Sequence, residues 1–264
     1  GVLFNSGTEK PNANQGVGGK EYDKKTQNEL SEFRRAVLVY QSNQKVRGSR
    51  DSREGKDYYA TPEPVGQKMV EFLGLQAGES AMEPSAGHGA IAMWFPDKVN
   101  ATVIEPSYSL YTKLNARAGG GNRKMVNDIF ENYNIINKYH GIAMNPPFGS
   151  GGKTAVDHVE KAFGHLYNNG RIVAIIPQGQ ADKRLDDFLE RTPNAHLIAS
   201  VKLPSSTFEQ AGTSVNTRIV VIDRIDLPSR YSIKNEVLTD NFKNKKLSET
   251  HEQVEAEVDR RLTE

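Results

Sequence analysis

The stretch Gly141-Ile142-Ala143-Met144-Asn145-Pro146-Pro147-Phe148-Gly149-Ser150-Gly151-Gly152 decides how the chain is read. Its first four residues are an apolar run that reads as a short buried strand. The next four open a stiff loop at that strand's carboxyl end, where an open α/β sheet places ligands and chemistry. The Asn145 side-chain oxygen and the Pro146 carbonyl are two acceptors suited to the two hydrogens of an exocyclic amino group. The prolines stiffen the backbone and aim those acceptors in advance. Phe148 offers a flat face on which a planar base stacks. An amino group conjugated to a ring is a poor nucleophile. Acceptors that draw on its hydrogens free its lone pair for attack on an activated methyl. Asn-Pro is also a common turn starter, so the tetrapeptide takes its meaning from what lies upstream.

Upstream, strand and helix patterns alternate. Ala81-Met82-Glu83-Pro84-Ser85-Ala86-Gly87-His88-Gly89-Ala90 reads as a short strand entering a helix through a glycine turn. Gly87 and Gly89 there allow close backbone approach to a ligand lying across the strand end. Ala101–Glu105 is a second strand ending in a carboxylate, and Glu105 so placed accepts both hydroxyls of a ribose. A helix from Ser107 to Arg117 stops at Gly119-Gly120-Gly121. A third strand, Lys124–Asn127, delivers Asp128-Ile129-Phe130, a carboxylate with apolar neighbours suited to the amino group and face of an adenine ring. Before all of these, Thr61-Pro62-Glu63-Pro64 fits the cap and first turn of a helix over Val65–Leu75.

Downstream the pattern continues with a helix over Lys153–Leu166 and a buried strand over Arg171–Pro177. A helix over Asp182–Arg191 and strands over His196–Leu203 and Thr217–Asp223 complete the body. Gly152-Lys153-Thr154 imitates a phosphate loop, but Pro147 stands where that motif needs glycine. The six histidines show no metal-ligand spacing.

The ends differ in character from this body. Residues 1–56 read as a flexible, locally basic arm with one helix, in which Leu30, Phe33, Val37 and Tyr40 share a face. From Arg34 to Lys56 there are seven basic residues (Arg34, Arg35, Lys45, Arg47, Arg50, Arg53, Lys56) against two acids. That strip is a candidate for contacts to nucleic-acid phosphates, and a solvated helix end explains it equally well. Residues 57–225 form the catalytic body. Residues 226–264 form a tail ending in a helix with Val254, Val258 and Leu262 at spacing four, a stripe suited to packing on a partner or on the body.

Composition narrows the classes. The chain has 264 residues, a net charge of +1 and no cysteine. Thiolate chemistry, disulfides and cysteine-ligated zinc are excluded, and with them cytosine carbon-5 methylation, which needs a cysteine nucleophile. Near-neutral charge means that attraction to nucleic acid must be local. No signal peptide or membrane-length apolar run is present, so a cytoplasmic protein is expected.

The order Thr61-Pro62, Glu-Pro-Ser-Ala-Gly-His-Gly, Glu105, Asp128 and Asn-Pro-Pro-Phe resembles the gamma-order S-adenosylmethionine-dependent adenine-N6 DNA methyltransferases. It looks particularly like the methylase parts of type I restriction-modification systems and of large phage or plasmid polypeptides. Leu203-Pro204 through Phe208, Gly212-Thr213 and Thr217-Arg218-Ile219-Val220 add to the likeness, which covers roughly residues 57–225.

The resemblance implies an α/β, Rossmann-like class I methyltransferase fold: a seven-stranded, mostly parallel sheet with an antiparallel last strand and helices on both faces. It implies S-adenosylmethionine contacts from Thr61, from Glu83, Pro84, Ser85, Ala86, Gly87 and Gly89, and from Glu105, Asp128, Ile129, Phe130 and Asn145. It makes Asn145, Pro146, Pro147 and Phe148 the catalytic tetrapeptide acting on a flipped-out adenine of DNA. Two departures stand out. His88 occupies a position where the family more often has a small hydroxyl residue. The expected target-recognition domain is absent, so a separate specificity subunit or further domains are expected partners. RNA adenine, cytosine N4 and protein glutamine remain as alternative substrates, and a cofactor-silent binding subunit as an alternative role.

Overall fold

The computed structural model describes residues 23–47, 60–134, 138–211, 215–226, 233–234, 236–238, 240 and 251–263. The chain divides into two units, Gly1–Ile225 and Asp226–Glu264. The larger unit is built on seven strands: β1 Ser80–Glu83, β2 Asn100–Ile104, β3 Arg123–Val126, β4 Tyr139–Met144, β5 Leu166–Pro177, β6 Ala195–Lys202 and β7 Thr217–Arg224. Its helices are α1 Lys24–Arg47, α2 Glu63–Leu73, α3 Tyr108–Ala118, α4 Lys153–Gly164 and α5 Gln180–Arg191.

The sheet order is β3-β2-β1-β4-β5-β7-β6. All neighbours are parallel except β7, which runs antiparallel to both β5 and β6. Val and Ile fill β5 and β7 because both faces of the sheet are covered: Ile172 to Ile176 and Ile219 to Ile222 are fully buried. The reversed strand is locked in register by a bidentate ion pair. Arg171 lies opposite Asp223, its Nε 2.6 Å from Oδ1 and its Nη2 2.8 Å from Oδ2.

The strand order reverses between β1 and β4. A crevice therefore opens at their carboxyl ends, where open α/β sheets bind ligands. The β1-to-β2 connection departs from expectation there. In place of an α-helix it forms turns and a single 3-10 turn, Ala92–Trp94. Glycines at 87 and 89 weaken helix formation, and Pro96 bars its extension. α2 closes over this connection instead. A Cβ on Gly66 would lie 2.2 Å from the Ala90 carbonyl oxygen, so only glycine allows the approach.

α1 is longer than its apolar period suggested, and it is packed on the body. Leu30, Phe33 and Val37 are 5%, 6% and 0% exposed and join the main core, each burial contributing about 1.5–3 kcal/mol. The helix is thus a structural part of the larger unit, while the rest of the expected arm, residues 1–22 and 48–56, lies outside the described residues. In the smaller unit, the helix α6 His251–Thr263 buries Val254 and Val258 with Ile233 and Val237. Leu262 is 41% exposed, so the third position of the expected stripe is not part of that cluster. No helix among the described residues is long and apolar enough to cross a membrane.

Candidate active site

Four successive strand ends, those of β3, β2, β1 and β4, line one edge of the sheet and present the chemistry-bearing residues in a row. β1 ends in Glu83, and the chain then turns through Pro84-Ser85-Ala86-Gly87-His88-Gly89. Ala86 N donates to the Ile104 carbonyl at 3.0 Å, tying the turn to β2. Gly89 has φ 89°, and a Cβ on it would stand 2.8 Å from Leu114 Cδ1 of α3. A side chain there would be strained and would clash.

Glu105 follows β2 and is 5% exposed. Its Oε2 accepts from Gly87 N at 2.7 Å and its Oε1 from Ser107 N at 2.7 Å. Burial pushes its pKa up, while the Ser107 and Gly87 amides work against the shift. Each oxygen keeps acceptor capacity beyond its one backbone partner. Glu83 is more deeply enclosed, at 1% exposure, and its Oε2 has no hydrogen-bond partner among the described residues. Its pKa is raised well above the ordinary carboxyl value by burial, against a hydrogen bond from the Ala92 amide and with a further push from Glu105. His88 is held down to about 4 by burial, with Arg117 adding to the effect. It is therefore neutral near pH 7, consistent with a contact role and with no ready proton to give.

Asp128, after β3, is exposed. Its Oδ1 accepts from Ile129 N at 2.7 Å and from Asn132 Nδ2 at 2.9 Å. The two apolar neighbours part company. Ile129 is 43% exposed, whereas Phe130 is 2% exposed and packs edge-on to His158 of α4 with centroids 5.4 Å apart. Phe130 as placed is core; Ile129 is the neighbour free to cover a ring. Asn127, which the sequence reading passed over, links β3 to β2 by donating from Nδ2 to the Glu105 carbonyl at 2.8 Å and the Pro106 carbonyl at 3.1 Å. An asparagine at a strand end gives no periodic signal of such a role.

At the end of β4, Asn145 is half-buried and its Nδ2 donates to Thr61 Oγ1 at 3.0 Å. The Thr61 hydroxyl therefore does not cap α2, whose N-cap is Pro62 with no side-chain bond. With the nitrogen end of the amide held by Thr61, its oxygen end is turned to the other side. Pro146 is buried and Pro147 half-buried. Phe148 is 6% exposed and meets Phe208 edge to face at 6.3 Å. The Phe148 ring is thus enclosed in this conformation.

The basic strip is only partly described. Arg34 is half-buried, with Nε donating to the Lys202 carbonyl at 3.2 Å, and Arg35 is exposed. Lys45 and Arg47 lie in the last turn of α1, with side chains outside the described residues. Arg50, Arg53 and Lys56 fall outside them altogether.

The seven-stranded sheet, with its order and reversed strand, is a Rossmann-like class I methyltransferase fold. Solved structures agree at the level of fold. A Listeria monocytogenes protein assigned as a class I S-adenosylmethionine-dependent methyltransferase is 13% identical with a TM-score of 0.54, over 76% of this chain and 70% of that one. The assigned modification subunit of a type I restriction enzyme from Vibrio vulnificus is 18% identical with a TM-score of 0.54, over 78% of this chain. This chain spans about half of that subunit, 51%. An assigned RNA methyltransferase from Pyrococcus horikoshii is 15% identical with a TM-score of 0.53, over 74% of this chain and 99% of that one. No family model and no curated protein sequence matches the chain.

Proposed function

We propose that the chain transfers a methyl group from S-adenosylmethionine to the exocyclic N6 of adenine in DNA. The observation that carries this reading is the anchored Asn145 amide at the switch point of the sheet, followed directly by Pro146, Pro147 and Phe148. Beside it the residues fit the cofactor. Glu105 keeps acceptor capacity for a ribose diol, Asp128 for an adenine amino group, and the unpartnered Glu83 Oε2 is a buried acceptor in the same turn. Thr61, Pro84, Ser85, Ala86, Gly87 and Gly89 complete that cradle, and Ile129 covers the ring.

S-adenosylmethionine supplies an electrophilic methyl on sulfonium. The protein supplies alignment. Asn145 Oδ1 and the Pro146 carbonyl accept the two N6 hydrogens, which orients the nitrogen lone pair toward the methyl carbon. With the cofactor bound, the methyl–sulfur bond would break as the N–C bond forms, its electron pair leaving with the thioether S-adenosylhomocysteine, and the two acceptors stabilise the positive charge on N6 more strongly than they stabilise the neutral amine. One N6 proton leaves to solvent afterwards. Phe148 stacks on the extruded base once uncovered.

Sequence selection is assigned to a specificity subunit or further domains, in keeping with the near-neutral net charge of +1 and the half-length match to the restriction subunit. Transfer of a labelled methyl from the cofactor to duplex DNA tests the proposal. Label appearing in RNA or protein and not in DNA would sink it.

A further inference from the structure

Two elements flank the Asn145–Phe148 tetrapeptide, and α1 lies against both. On one side is α2, whose lead-in Thr61 takes the Asn145 hydrogen bond. On the other is the 3-10 turn Ser205–Ala211, whose Phe208 is 1% exposed and closes on Phe148. The contact between α1 and this turn is polar as well as apolar. Gln41 is 6% exposed and donates from Nε2 to the Thr207 carbonyl at 2.6 Å. Thr207 Oγ1 in turn donates to the Pro204 carbonyl at 2.5 Å. Two helical turns before Gln41, Arg34 holds the Lys202 carbonyl, where the chain leaves β6 for the turn. One helix thus grips the turn where it begins and beside Phe208.

We propose that Gln41 is a positioning residue: through the Thr207 carbonyl it sets how readily Phe208 leaves Phe148, and so how readily the Phe148 face is uncovered. The inference deepens the base-stacking role given to Phe148 and rests on that reading. A base reaches a ring that is 6% exposed only after its neighbour has moved. One ring neighbour, Phe208, is the residue that follows the gripped carbonyl. Loss of one hydrogen bond shifts such an open–closed equilibrium about five- to tenfold.

The test uses the protein alone, so it is independent of whether methyl transfer is found. Fluorophenylalanine labelling reports all ten phenylalanines by fluorine NMR, each assigned by a Phe→Tyr substitution. In Gln41→Met, which keeps the side-chain length and removes the donor, the Phe148 and Phe208 signals should shift together. Relaxation dispersion should show an open population about five- to tenfold larger. Phe163 and Phe188, which pack on each other across α4 and α5, should not move. A folded variant with unmoved Phe148 and Phe208, or one in which every ring shifts alike, would overturn the proposal. Should Gln41→Met fail to fold, dispersion on the wild type decides: one exchange rate shared by the two rings supports the latch, and unrelated rates refute it.

Discussion

Asn145 Nδ2 donates to Thr61 Oγ1 across 3.0 Å, joining the end of β4 to the lead-in of α2, eighty-four positions earlier in the chain. The bond holds the nitrogen end of the amide, and in the proposed function the oxygen end meets the substrate. Asn145→Ala should therefore lower kcat by about 10²–10³, the scale for removing one transition-state partner, while calorimetric affinity for S-adenosylmethionine stays within a few-fold. Thr61→Val should be milder, about tenfold in kcat, since it loosens the amide without deleting it. Equal kcat in Asn145→Ala and wild type would remove the proposed role.

Glu105 bridges the glycine turn and the start of α3 through the Gly87 and Ser107 amides. Glu105→Ala should weaken S-adenosylmethionine binding by about 1–3 kcal/mol, the range for charge-assisted hydrogen bonds. Titration calorimetry measures this. Unchanged affinity would show that the carboxylate serves only the backbone.

The two buried acids and His88 bias stability in opposite directions with pH. Glu83 has a raised pKa, so above the ordinary value of 4.5 the folded state holds more protons than the unfolded one. Its contribution is fully present below 4.5 and is lost as pH rises through the folded pKa. Glu105, also raised, acts in the same sense. His88, lowered to about 4 from 6.5, stabilises above 6.5 and loses that contribution as pH falls toward 4. Glu83→Gln should therefore flatten the decline in stability with rising pH that urea unfolding shows in the wild type. Parallel profiles for the two proteins would contradict the buried, raised carboxyl.

Arg34 and Arg35 sit on a packed helix beside Lys202. Deletion of the N-terminal residues would remove Leu30, Phe33 and Val37 from the core, so point substitutions are the proper probe of the basic strip. If both arginines meet phosphates, Arg34→Ala with Arg35→Ala should reduce the slope of log affinity against log salt by about 1.8 on duplex DNA. Filter binding at several salt concentrations reads this out, and an unchanged slope assigns the pair to structure or solvent.

Much of the fold was legible because Ile142–Met144 in β4, Ile172–Ile176 in β5 and Ile219–Ile222 in β7 are continuous apolar runs, and such runs have one economical use in a chain with alternating helices. Glu83 and Glu105 were legible as strand-end acids because each directly follows buried apolar residues of its strand, Ala81-Met82 and Val103-Ile104. What stayed hidden depends on contacts far apart in sequence. The Asn145–Thr61 bond, the Gln41–Thr207 bond and the covering of Phe148 by Phe208 leave no periodic trace. The missing helix after β1 was masked by a glycine motif that elsewhere opens one, and Pro96 was the contrary signal. Phe130 looked like a ring cover because spacing alone does not say which of two adjacent apolar residues faces the core.

The atom that receives the methyl group separates adenine-N6 transfer from every alternative. Wild-type protein incubated with S-adenosylmethionine carrying a labelled methyl and with duplex DNA, followed by digestion and mass analysis of the nucleosides, identifies it most directly. The account predicts label in N6-methyladenine, and none in that nucleoside for Asn145→Ala. Label in N4-methylcytosine, or no labelled nucleoside from wild type that binds both cofactor and DNA, would contradict it.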